Sequence, residues 1–98
     1  MLTITSRVET DRATRYLVQL CKHFARKVPA EWTDEEGTAS FDWGTCVMRA
    51  DADALSIHVA APDEEALGRV RYVVTDHLER FGARDNLVVS WSEAQPAH

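Results

Sequence analysis

The chain has 98 residues, 45% of them hydrophobic and 28% charged, with a net charge of -5. That length holds one hydrophobic core, and the composition excludes both disorder and a fibrous repeat. The longest apolar runs fall far short of the roughly 20 residues that span a bilayer, and an acidic chain is poorly suited to the many phosphate contacts of a general nucleic-acid binder, so neither a membrane nor nucleic acid is expected as a partner.

At the N-terminus Leu2, Ile4 and Val8 alternate with polar residues, which predicts a strand rather than the basic start and apolar centre of a secretory signal. The expected location is therefore the cytoplasm, where Cys21 and Cys46 stay reduced. Thr10 or Asp11 can cap the helix that follows. In it Ala13, Tyr16, Leu17, Leu20, Cys21, Phe24 and Val28 recur at spacings of three and four, and Pro29 stops it. This stretch is also basic: residues 10–28 hold Arg12, Arg15, Lys22, Arg26 and Lys27 against Asp11 alone, a local charge of +4.

Short strands follow at residues 30–33, 38–42 and 45–50, separated by an acidic turn at 34–37 and a reversal at Trp43 and Gly44. Asp51 and Asp53 turn the chain again into a strand with Leu55, Ile57 and Val59 inward and Ser56 and His58 outward. Pro62 and Asp63 then open a second helix, whose inner stripe is Ala66, Leu67, Val70, Val74, His77, Leu78 and Phe81, with Gly82 as a left-handed stop. Leu87, Val89 and Trp91 alternate as a last strand. The expected fold is α+β in the order β-α-β-β-β-β-α-β: a two-layer sandwich with both helices on one face of a mostly antiparallel sheet. A single domain spans residues 1–92, and residues 93–98 are a frayed tail.

The reactive side chains are two thiols and four imidazoles. Cys21 and His23 cannot easily share an ion, because residues two apart on a helix point about 160° away from each other. Cys21 and Cys46 both face inward. They serve either as packing residues or, with His77, as a metal, haem or thiol-redox site assembled by the fold. His77 lies on an apolar stripe, where a neutral imidazole must find a hydrogen-bond partner. Tyr16, Gln19, His23 and Lys27 form a polar row along the edge of the first helix that either borders a groove or covers apolar surface with its stems. Trp32, Trp43 and Trp91 are candidates for an interface. No phosphate loop, nucleophile elbow or two-histidine zinc helix is present in the sequence, so no cofactor is expected and the balance is against catalysis.

Thr10-Asp11-Arg12-Ala13, Tyr16-Leu17, Cys21-Lys22-His23-Phe24, Lys27-Val28, Gly44-Thr45-Cys46 and His77-Leu78-Glu79-Arg80-Phe81 together resemble the small prokaryotic family catalogued as domain of unknown function twenty-two eighteen. Members of that family stand alone or fused to siderophore-interacting flavin reductases. The resemblance implies a bacterial protein associated with iron or siderophore handling, and it adds Arg80 to the binding candidates. The resulting expectation is a non-catalytic accessory module. Its partner would be an acidic protein or a siderophore-reductase-type protein, contacted through the basic and polar edge of the first helix; a homodimer through a sheet edge or the tryptophans is the remaining option.

Overall fold

The alternation at the N-terminus does make a strand, β1 (Leu2–Glu9), with Ile4, Ser6 and Val8 buried and their neighbours facing solvent. The computed structural model describes residues 1–96. Helix α1 (Ala13–Phe24) starts where the Thr10 hydroxyl accepts the Arg12 N–H at 3.0 Å, and it buries the predicted stripe from Ala13 to Phe24. Single turns carry the chain on to Val28, whose N–H reaches the Phe24 carbonyl at 2.9 Å, before Pro29.

Next come β2 (Ala30–Trp32), β3 (Glu36–Phe41), β4 (Gly44–Ala50) and β5 (Ala54–Ala61). Glu36 and Gly37 belong to β3 rather than to the acidic turn, and the reversal into β4 is made by Asp42 and Trp43, with Phe41 opposite Gly44. Helix α2 (Glu64–Phe81) is capped by Asp63, whose Oδ1 accepts the Ala66 N–H at 2.8 Å, and Glu64 and Glu65 sit at its positive end.

The sheet runs β2-β3-β4-β5-β1-β6, every pairing antiparallel, with β6 (Gln95–Pro96) beside Leu2 and Thr3. Both helices lie over one face and close a single core of Ile4, Val8, Met48, Leu55, Ile57 and Val59 from the sheet with Leu17, Leu20, Val70, Val74 and Leu78 from the helices. The other face of the sheet is open. The α+β fold expected from the pattern is the one observed.

Three local expectations are corrected. Residues 87–91 keep the alternating burial of a strand but form no ladder: Trp91 instead donates its indole N–H to the Thr75 hydroxyl of α2 at 2.8 Å. The sixth strand lies further on, at Gln95 and Pro96, inside the segment expected to be a frayed tail; residues 97 and 98 of that tail lie outside the described residues. Gly82 ends α2 with φ -97°, an ordinary conformation, and the left-handed residue is Asn86 at φ 54° after a short 3-10 turn.

Two glycines are required by close approach. A Cβ on Gly37 would sit 2.6 Å from Cys21 Sγ, and one on Gly44 would sit 2.7 Å from the Ala60 carbonyl oxygen. Gly37 therefore lets α1 lie close on β3, and Gly44 lets β4 begin tight against β5.

Candidate functional site

Helices α1 and α2 converge near their C-terminal ends, where His23 and His77 face each other with ring centroids 4.4 Å apart. Each is on the margin of its helix's apolar stripe. That position leaves both rings partly buried, since the stripe turns toward the core and the next residue round turns toward water. His77 Nδ1 lies 2.7 Å from the Val73 carbonyl oxygen. A carbonyl can only accept, so Nδ1 carries the hydrogen, and in the neutral ring Nε2 is left as an acceptor. The pKa of His23 is lowered below 6.5, chiefly by burial and further by His77, Arg26 and Lys27.

The imidazole pair forms one wall of a groove of about 350 Å³. From the α1 side Phe24, Lys27 and Val28 line it together with His23; Val73 adds to the α2 side. Opposite stand Phe41, the last residue of β3, and Trp43, in the turn to β4, which stack with centroids 5.0 Å apart and planes 27° from parallel. Phe24 contacts Phe41 edge-on at 5.3 Å and His77 at 5.8 Å, so the aromatic rings run continuously from one wall to the other. Phe81 packs behind the histidines at about 6 Å from each.

A larger hollow of about 580 Å³ lies on the open face of the sheet, over Arg7, Val47, Arg49 and His58. It is shallow, and its two guanidiniums are engaged, Arg7 with Asp51 at 3.6 Å and Arg49 with Glu36 at 2.8 Å. The groove between the helices, enclosed by aromatic rings and holding both partly buried imidazoles, has the chemistry of a binding site.

The candidates read from the sequence divide accordingly. His23 and Lys27 reach the groove, as does His77. Tyr16 does not: it is buried, with its hydroxyl donated to the Asp85 carboxylate, and the same carboxylate lies 3.5 Å from Arg12. Gln19 is exposed away from the groove, and Arg80 is exposed with its Nε 3.3 Å from Asp76 one turn earlier. The polar row of α1 thus borders a groove only over its second half.

Cys21 and Cys46 are fully buried free thiols, close enough that the charge of one raises the pKa of the other. Burial pushes Cys21 up to about 11 and Cys46 up to about 12. Thiols held so far above neutrality carry almost no thiolate, the form that reacts and binds metals. Among the described residues no three His, Cys, Asp or Glu side chains gather to hold a metal ion, so His77 does not join the two sulfurs in one site; it has turned to His23.

Sequence reasoning passed over Phe41, Val73 and the role of Trp43 as a groove wall. The available signal was a pair of aromatics two residues apart at a tight reversal, one closing the strand and one in the turn, which can project to the same side of the hairpin end.

Fold and groove together define a small α+β domain with a ring-lined groove between its helices and one hairpin. The chain belongs to the family described as uncharacterized proteins conserved in bacteria (DUF2218), whose profile matches residues 5–92. Among solved structures it is similar to the NMR structure of PA4090 from Pseudomonas aeruginosa, with 35% identity and a TM-score of 0.83 over 98% of this chain and 100% of that one. No curated protein matches it. Among the described residues no helix is long and apolar enough to cross a membrane.

Proposed function

We propose that this domain is a non-catalytic accessory module that binds a small molecule in the groove between α1, α2 and the β3–β4 hairpin. The observation that carries the reading is the meeting of His23 and His77 at 4.4 Å on the wall of an aromatic groove. Apolar walls with a few convergent polar groups are the usual make-up of ligand sites. A binding role is favoured over turnover because, among the described residues, the groove lining offers only Lys27 and the two imidazoles as reactive groups, with no serine, threonine or cysteine for an imidazole to activate, and both thiols lie in the core.

Amide and side-chain NMR shifts of the full chain, followed while neutral and charged aromatic and aliphatic fragments are added, test this. Hits should perturb the Trp43 indole and both imidazoles together, and Trp43→Ala should weaken them at least tenfold while leaving the fold intact. Hits confined to the open face of the sheet would remove the proposal. The iron-related role implied by the family resemblance enters the same titration: a ferric chelate seated in the groove would broaden the His23 and His77 ring signals before any others.

A second reading is favoured by a different observation. Arg15 and Lys22 on α1 and Arg26 just after it are exposed and form no ion pair among the described residues, so the basic face is available to an acidic partner protein, including one of the siderophore-reductase type. Reversing all three to Glu should abolish capture of such a partner in a pull-down, and undiminished capture would dispose of the reading.

A further inference from the structure

We infer that the ligand taken by the groove is a planar aromatic anion, a one- or two-ring carboxylate in chemical class. The inference rests on the groove being the binding site and concerns what that site selects. In a chain of net charge -5, this groove is lined by Lys27, two imidazoles and apolar side chains, with no carboxylate among them. The two acids adjacent in sequence to groove residues do not change this: Asp76 is tied to Arg80 at 3.3 Å, and Asp42 sits in the exposed hairpin turn, outside the lining. Arg26 adds a second cation close enough to act on His23.

Charge of one sign on low-dielectric walls attracts the opposite sign and repels its own. The shape of the ligand follows from the rings. Phe41 and Trp43 form a stacked pair on one wall, the imidazoles stand on the other, and Phe24 lies between them in edge contact with Phe41 and His77, so a flat ring system can lie over Phe24 between the two walls. A volume of about 350 Å³ accommodates one or two fused rings with their substituent. The carboxylate then meets the Lys27 ammonium at the mouth and a ring N–H of His23 beside it, charge-assisted contacts unavailable to an uncharged analogue. A metal cation is the less suitable occupant: only two ligating side chains face the groove, and its resident cation would repel one.

Three isosteric probes test the inference on the full chain: 2-naphthoate, 2-naphthalenemethanol and 2-naphthylmethylammonium. We expect naphthoate to bind at least tenfold tighter than the alcohol, the ammonium compound to be weakest, and all detectable binding to move the Trp43 indole signal. Lys27→Ala, an exposed position whose loss leaves the core untouched, should cut the preference for naphthoate over the alcohol to less than threefold. Binding of the alcohol or the ammonium compound at Trp43 as tightly as naphthoate would overturn the anion inference and leave the groove standing. No shift at Trp43 with any probe would remove the groove and the inference with it. Naphthoate binding that maps to the solvent face of α1 and survives Lys27→Ala would also overturn it.

Discussion

Gly37 and Cys21 are each as large as the contact between them allows. The sulfur packs where a side chain on β3 would otherwise begin, and Leu17 Cδ2 stands 3.2 Å from the same position. Gly37→Ala forces α1 to retreat from the sheet. Overpacking of this kind costs about 1 to 3 kcal/mol. Cys21→Ala opens room beside it, so the double variant should be more stable than the sum of the two single losses, and denaturant unfolding of all four proteins in a double-mutant cycle measures the coupling. Strict additivity would mean that the sulfur yields easily and the contact does not limit the approach. The pairing of these residues was beyond the reach of the sequence. Cys21 could be read as facing inward from its helical spacing, but Gly37 looked like part of an acidic turn, because glycine after three acidic residues has the same appearance in a loop and in a strand that needs close contact.

The two helices are stabilised along stripes that could be read from the spacing of their apolar residues, and the structure returns those stripes almost residue for residue. The margins of the stripes were harder to read. His23 and His77 are distant in sequence and meet only because α1 and α2 lie over the same sheet, so no local pattern announces the pair. The hairpin that completes the groove was legible as a reversal but not as a wall, since stacking of Phe41 on Trp43 depends on which end of the sheet the helices leave uncovered. One pH effect belongs at this scale. Burial lowers the pKa of His23 within the folded state, helped by His77 on α2 and by Arg26 and Lys27 in the turns that follow α1. The unfolded chain therefore binds that proton more readily. Its contribution to stability is complete above the unfolded value of about 6.5 and is lost as the pH falls toward the depressed folded value. Between pH 7.5 and 5 the thermal midpoint of the native chain should fall more steeply than that of His23→Gln; parallel curves would assign the acid sensitivity to another group.

At the scale of the molecule, the first five strands and the placement of two helices on one face could be read because antiparallel sheets with one covered side keep a period of two and their helices a period near 3.6. Leu87, Val89 and Trp91 misled because alternation reports which side chains turn inward, and these are partly buried on alternate positions while their own backbone joins no ladder. The two residues that do pair, Gln95 and Pro96, are too few to show a period at all. Their position affects how copies of the molecule can meet. At one border of the sheet lies a two-residue segment that includes Pro96, which has no N–H to offer an incoming chain, and at the opposite border lies β2, three residues long with Glu31 at its centre. Short, charged or proline-bearing borders are poor templates for further hydrogen bonding. Crowded at high concentration, such molecules offer little at β2 and β6 from which a fibril could be seeded, and on β1 beyond Thr3 an incoming chain meets Ser92, which already holds the Thr5 N–H and carbonyl.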